Sequence, residues 1–275
     1  MKRITNLWPG GRLKALTLSY DDGVEQDRSL VEIFNKYNLK ATFNINSGIQ
    51  SESSIWNDKG VTIRRMNAFG LEELYDGHEV AVHTLTHPSL VDIPHELVLK
   101  EIIEDKKRHE EQFGYLVRGM AYPFGTYNDD VIEVVKFCGI EYARTVNQHE
   151  QFTLPDNYYK WHPTCHHINP KLMDLTQAYI QKVGGPLSLI FVWGHSYEFA
   201  VDNNWELIEE FSKQIGNRSE IWYATNIQVV DYLKAQRRLK YSTDCSMVYN
   251  ESSLSIWISV DDQAHEVMPG RTVLL

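Results

Sequence analysis

A (β/α) barrel is the fold class that this 275-residue sequence predicts, and three observations predict it. Strand-like and helix-like segments alternate seven or eight times between residues 13 and 240; so regular an alternation implies a parallel sheet, and its length favours a closed barrel over an open doubly wound sheet. The run Leu189-Ile190-Phe191-Val192-Trp193 behind Ser188 is apolar throughout, as strands buried on both faces are. Neither GxGxxG nor GxxxxGK[ST] occurs, so the alternation carries no nucleotide fingerprint.

The first barrel strand is Ala15-Leu16-Thr17-Leu18-Ser19-Tyr20, which stops at Asp21-Asp22-Gly23. Leu30, Ile33, Phe34 and Tyr37 then stand at helical spacing over residues 27–37, and Lys40 to Asn46 reads as the second strand. Ser47 to Lys59 is polar and predicted to be a long loop with Trp56 as its one large apolar anchor, followed by a short helix over 67–75 and a third strand over 79–84. A strong helix over 93–113 has its inner face marked by Leu97, Ile102, Ile103 and Phe113. Residues 120–123 are strand-like, 129–138 helical, 140–146 a strand and 147–157 a loop. A short strand over 158–162, a helix over 171–183, the apolar strand from 188, a helix over 205–215, a strand over 220–225 and a helix over 228–239 complete the series. Residues 241–275 change character: short strands at 247–249, 254–260, 266–268 and 272–275, divided by Asn, Asp, Pro and Gly, predict a small β appendage. The chain is thus divided at residue 240 into a barrel and an extension.

Composition narrows the function. With 43% hydrophobic and 23% charged residues the chain is an ordinary globular protein, and a formal net charge of -10 argues against nucleic acid or an anionic membrane as partner. No run reaches the ~18 apolar residues of a membrane span. Cys138, Cys165 and Cys245 are odd in number, far apart and outside any CxxC, which fits reduced thiols. The amino-terminal residues lack the apolar core of a secretory leader, so a cytoplasmic location is expected.

Polar residues collect where the predicted strands end, which is where a barrel carries its chemistry. The first strand ends in Asp21-Asp22, the third in His83-Thr84-Leu85-Thr86-His87-Pro88, the fourth in Tyr122-Pro123-Phe124-Gly125, and the apolar strand in Gly194-His195-Ser196. Asp-Asp-Gly alone also fits a strand-to-helix turn with a capping aspartate. His83 and His87, at i, i+4 on an expected helical turn, could meet one metal ion, and a carboxylate from the first strand would complete a His₂Asp site with room for water.

These four stretches resemble, in order and spacing, motifs of the polysaccharide deacetylases (carbohydrate esterase family 4), over residues 15 to about 230. The resemblance implies a distorted (β/α) barrel that removes acetyl groups from N-acetylated, sometimes O-acetylated, sugars with a divalent metal. It implies Asp21 as general base, Asp22, His83 and His87 as metal ligands, His195 as general acid, and the Phe124 backbone N–H as an oxyanion donor. Tyr122, in the same motif as Phe124, stands with it on the oxyanion and substrate side. Two imidazoles and one carboxylate suit Zn²⁺ and tolerate Co²⁺ or Ni²⁺.

The sequence departs from the pattern in two places. An arginine two residues before the proline usually pairs with the catalytic aspartate in that family; here the position is Ala121, and Arg144 at the end of the next strand is the candidate replacement, preferred over Arg118. The family's Asp-Trp motif is missing, and nearby stands Trp161-His162-Pro163-Thr164-Cys165-His166-His167. His162 is a candidate to orient the acid or touch substrate, and Trp161 or Trp193 to wall an acetyl pocket; His166 and His167 are expected to support the site, and Cys165 to be a buried thiol.

The expected function is metal-dependent deacetylation of a small or oligomeric acetylated sugar, the lack of a leader arguing against cell-wall polymer. An O-acetyl esterase or a non-sugar amidohydrolase would use the same barrel. A binding or regulatory pseudoenzyme is the reading from another class, motivated by Ala121 and opposed by the presence of Asp21, His83, His87 and His195. The sequence leaves the oligomeric state open.

Overall fold

The structure is a computed structural model that describes residues 2–275. Its centre is β1 (Lys14–Asp21), buried along all eight residues. The chain then runs through α1 (Asp27–Lys36), β2 (Ala41–Ile45), β3 (Glu79–Val82), α2 (His95–Phe113), β4 (Gly119–Ala121), α3 (Asp129–Phe137), β5 (Tyr142–Arg144), β6 (Cys165–His166), α4 (Leu172–Gln181), β7 (Ser188–Gly194), α5 (Ser196–Val201), α6 (Trp205–Ile215), β8 (Ile221–Tyr223) and α7 (Asn226–Arg237).

The strands form one sheet in the order β5-β4-β3-β2-β1-β7-β6, parallel throughout, with β8 paired to the first half of β1. Both edges of that sheet turn toward the segment 161–166. Trp161 bridges Arg144 at the β5 edge, while Cys165–His166 pairs with β7 at the other. The sheet is therefore curled into a distorted parallel barrel, as the sequence predicts. Helices α1, α4 and α6 bury Phe34, Tyr179 and Phe211 against one part of it, and α2 and α3 cover another with Ile102 and Val135.

Local chemistry explains where expected boundaries shift. The last helix starts at Asn226 instead of 228, because Thr225 and Gln228 form a reciprocal capping box. The expected loop over 47–59 holds a hairpin, Ile55–Asp58 with Val61–Arg64, whose turn residues Lys59 and Gly60 have φ of 46° and 87°. Two consecutive positive φ values form the tight turn that matches strand twist. The strand expected over 158–162 is a 3₁₀ turn (Tyr158–Lys160), and pairing passes to Cys165–His166 instead. Helix α5 and an amino-terminal strand, Ile4–Leu7, were outside the sequence expectation. That strand pairs with Ile256–Val260, so the two ends of the chain build one small antiparallel sheet with Gln263–Val267. Among the described residues no helix is long and apolar enough to cross a membrane.

Candidate active site

The carboxyl ends of the strands bring Asp21, Asp22, His83, Arg144 and His195 together. At the end of β1 the backbone turns sharply: Asp22 has φ of 83°, and its N–H donates to the Asn44 carbonyl on β2 at 2.9 Å. The turn sends the two carboxylates to different partners.

Asp21 is almost wholly buried. Arg144 Nη2 donates to its Oδ2, and Asn44 Nδ2 donates to its Oδ1 at 2.8 Å. The Nε2 atoms of His83 and His195 each lie 3.9 Å from Oδ2. Burial alone would raise the Asp21 carboxyl, but Arg144, His83 and His195 outweigh it and hold it below the usual carboxylate range. Arg144 is itself fully buried, lying 4.4 Å over the Trp193 ring. Asn44, absent from the sequence expectation, had one signal: an asparagine on an otherwise apolar strand.

Asp22 faces His83 and His87, and one ligand atom from each of the three falls within 4.8 Å of the others. The segment between the histidines is not the expected helical turn. Thr84 and His87 have φ of 67° and 61°, so a loop with two left-handed residues, held by the His87 N–H on Thr84 Oγ1 at 3.1 Å, makes the rings converge. Beneath it Asp105 Oδ2 accepts the His83 N–H at 3.0 Å, and Asn46 Nδ2 donates to the Thr84 carbonyl at 3.0 Å.

The donor set fits a divalent ion. His83 Nδ1 is 2.9 Å from the Ala121 carbonyl, a bond that only an Nδ1–H can make, leaving the Nε2 lone pair for a metal. Burial, reinforced by His83, pushes His87 down to about 4, so its ring is neutral near pH 7. Arg65 Nη2 donates to Asp22 Oδ1 at 2.8 Å from the far end of the unexpected hairpin.

His195 follows the glycine that ends β7. A side chain there would be impossible, since a Cβ on Gly194 would lie 2.0 Å from His167 Nδ1. Glu198, one turn into α5, grips His195: Oε2 accepts the His195 N–H at 3.1 Å and Oε1 lies 3.4 Å from Nδ1. The same Oε2 lies 3.1 Å from His167 Nε2 and 3.3 Å from His166 Nε2. Burial opposes the charge on His195, but Glu198, Asp22 and Asp21 raise it to about 9. Glu198 itself is held far below the usual carboxylate range by His167 and His195 in spite of its burial. Sequence reasoning missed Glu198, although its i, i+3 spacing from His195 at a helix start was a usable signal.

The remaining candidates divide. Phe124, with φ of 58° in the turn after Pro123, is exposed at the rim and packs its ring 4.6 Å from that of His87. Trp193 lies beneath Arg144 with its ring 5.8 Å from His195. Tyr122 is not a substrate contact: it is buried and spends its hydroxyl on the Tyr159 carbonyl at 3.0 Å. Trp161 is not one either, being core, packed edge-on against Tyr142 and Phe191. His162 bonds Thr145 Oγ1 at 2.5 Å; His166 and His167, not His162, face Glu198. Cys165 is a buried thiol, raised by burial to about 12.

Known proteins are similar to this chain in part of its sequence and in its fold. Residues 10–143 match the polysaccharide deacetylase family model. Over 132 residues, 47% of this chain and 26% of the relative, the sequence is 28% identical to the peptidoglycan-N-acetylglucosamine deacetylase PgdA of Listeria monocytogenes. Over 156 residues, 53% of this chain, it is 24% identical to a poly-beta-1,6-N-acetyl-D-glucosamine N-deacetylase of Staphylococcus aureus, spanning 52% of that protein. The chain thus covers from about a quarter to about half of these relatives' length. In fold it is similar to a candidate polysaccharide deacetylase from Mycobacterium smegmatis, with a TM-score of 0.60 at 16% identity, covering 85% of this chain and 94% of that one.

Proposed function

From the premise that this chain belongs, through residues 10–143, to the polysaccharide deacetylase family, we propose that it is a metal-dependent hydrolase that removes acetyl groups from an N-acetylated sugar or oligosaccharide. The observation that carries this reading is the division of labour at the end of β1. Asp22 converges with His83 and His87, while Asp21, one residue earlier, is held by Arg144 and Asn44 and faces His195.

Asp22, His83 and His87 would hold the ion, which when bound lowers the pKa of a water and polarises the acetyl carbonyl. Asp21, kept ionised by Arg144, is the base that takes a proton from the attacking water. As the oxygen adds to the carbonyl carbon, the carbonyl oxygen gains charge, and the Phe124 backbone N–H is the chain's own donor toward it. The C–N bond then breaks, and His195 supplies the proton without which the amine is a poor leaving group. Glu198 fixes the His195 ring and favours its protonated form. Trp193 supports Arg144 and walls the pocket beside the acid. Zinc is the metal that two imidazoles and a carboxylate suit best. A cytoplasmic location belongs to the reading, supported by three free cysteines.

Acetate release from a panel of acetylated mono- and oligosaccharides, with and without chelator, tests this directly. Release that chelator abolishes and Zn²⁺ restores is expected; release from no sugar, or release indifferent to chelator, overturns it.

A further inference from the structure

Each aspartate of the site arrives with its own arginine, Asp21 with Arg144 and Asp22 with Arg65. Only the first arginine has a task in the hydrolysis described above. Arg65 is 8% exposed, its Nη2 donates to Asp22 Oδ1 at 2.8 Å and to Asn46 Oδ1 at 3.4 Å, and its buried Nε has no partner. Among the described residues no other carboxylate is paired with it. Glu198, the remaining acid of the site, faces three imidazoles. A divalent ion on Asp22 would place further positive charge beside Arg65, and the single carboxylate between them does not balance both, because a guanidinium does not lose its proton. A desolvated cation without a counter-charge is costly, and an anion brought by the substrate would relieve that cost.

Aromatic side chains flank Arg65. Its guanidinium lies 4.9 Å over the half-buried ring of Trp56. Trp56 meets Tyr197 edge-on at 5.5 Å, and Tyr197 lies 5.2 Å from the His195 ring. These contacts run as one continuous wall from the metal ligand Asp22 round to His195. The wall is held in place: Lys59 at the hairpin tip pairs with Asp202 beyond α5 at 2.7 Å, and the hairpin is stitched to the β1 turn by the Met66 N–H on the Gly23 carbonyl at 2.9 Å. Aromatic faces take the apolar faces of pyranose rings, and arginine takes carboxylates or phosphates in paired hydrogen bonds.

We propose that Arg65, Trp56 and Tyr197 form a subsite that selects acetylated sugars carrying an anionic group, a carboxylate or a phosphate, close to the reacting acetyl group. The proposal rests on the metal-dependent reading above, and it makes Arg65 a determinant of specificity.

Calorimetric titration of the zinc-loaded full chain tests it with three probes: N-acetylglucosamine, N-acetylmuramic acid and N-acetylglucosamine 6-phosphate. They offer a neutral, a carboxylate-bearing and a phosphate-bearing form of one amino sugar. At least one anionic probe is expected to bind about tenfold or more tightly than the neutral one, and which of them does so identifies the anion. Arg65→Gln is expected to bring the ratio to about one, and Arg65→Lys to keep part of it. Because Arg65→Gln also removes a partner of Asp22, its fold and zinc content are checked beside it. Trp56→Ala is the second variant, expected to weaken all three probes several-fold without changing their ratio. Equal or undetectable binding of all three by the wild type, a preference that survives Arg65→Gln, or unaltered affinities in Trp56→Ala overturns the subsite. Acetate release is followed in the same mixtures. A binding preference with no acetate from these probes or from the panel of acetylated mono- and oligosaccharides overturns the deacetylase reading alone and leaves the subsite standing.

Discussion

Replacing Arg144 by methionine removes a charge of similar volume from beneath the proposed base. In the wild type Arg144 is fully buried and Asp21 nearly so, so solvent cannot take over the lost interaction. Breaking a buried pair while leaving one charge behind costs about 3–5 kcal/mol, within the 5–15 kcal/mol that a domain has to lose, so Arg144→Met is expected to fold. Asp21 then keeps the burial that raises it and loses the cation that contributes most to lowering it. The sign of the pH dependence follows. In the wild type the depressed Asp21 carboxyl stabilises the fold above its unfolded value near 3.9, and that stability is lost as pH falls through the folded value. In the variant a raised carboxyl destabilises the fold at neutral pH and stops doing so as pH falls through the unfolded value, so the stability gap between the proteins narrows in acid. The acidic limb of the rate profile moves upward at the same time, and kcat/KM at pH 7 falls by the ~10²–10⁴-fold that a positioned base contributes. Denaturant titrations from pH 4 to 8 and acetate-release profiles on the zinc-loaded protein read both effects. An unmoved acidic limb together with a pH-independent stability loss would refute Asp21 as a base held by Arg144.

Other perturbations separate the remaining parts of the site. His83→Ala and His87→Ala should each lower zinc affinity by at least the ~10–100-fold that loss of a supporting contact costs, read as zinc retained after gel filtration; full occupancy in both variants would remove them from the ligand set. His195, raised to about 9 by Glu198 and the two aspartates against the pull of burial, should give wild-type kcat a basic limb near pH 9, and Glu198→Gln should move that limb down while kcat at pH 6 changes little. His78 gives a stability prediction far from the chemistry. Its Nδ1 accepts the Ala41 N–H at 3.1 Å, and burial, helped by Lys40, lowers the ring to about 4. Stability should be full above pH ~6.5 and fall by up to about 3 kcal/mol as pH drops toward 4; denaturation midpoints that do not change over that range would contradict it, and His78→Gln should flatten the dependence.

Much of the fold was legible because a barrel strand buried on both faces leaves an apolar run in the sequence, as residues 189–193 do, and because the polar residues at strand ends mark the rim. The sequence pointed to the histidine pair that converges with Asp22, but not to its geometry: an i, i+4 spacing is shared by a helical turn and by a loop with left-handed Thr84 and His87, and only backbone conformation separates them. The hairpin over 55–64 was hidden by the exposure of its strands, which leave little hydrophobic pattern, although the Asp58-Lys59-Gly60 turn was a sign of it. Trp161 and Tyr122 looked like site residues because they stand beside site residues in sequence. Both lie just outside the strands in extended backbone, where neighbouring side chains point to opposite sides, and these two are buried in the core.

The arginine at the base shows what spatial register adds to a linear motif. Ala121, where the family pattern places that arginine, is the register partner of Arg144 across β4 and β5. A parallel pair sets partner residues side by side, one strand spacing or about 4.8 Å apart, which an arginine side chain easily spans. The guanidinium therefore reaches Asp21 from the adjacent strand at the same height along the barrel. The vacated position does not fall idle, because the Ala121 carbonyl fixes the tautomer of His83. A bulkier side chain at 121 would have to share that buried place with Arg144, while an alanine leaves it room. Alanine at 121 and arginine at 144 thus depend on each other. Ala121→Arg alone is expected to destabilise the protein by crowding two cations against one carboxylate, whereas Ala121→Arg combined with Arg144→Ala should recover part of both stability and acetate release. A double variant no better than the worse single one would show that the two positions are not exchanging the same charge.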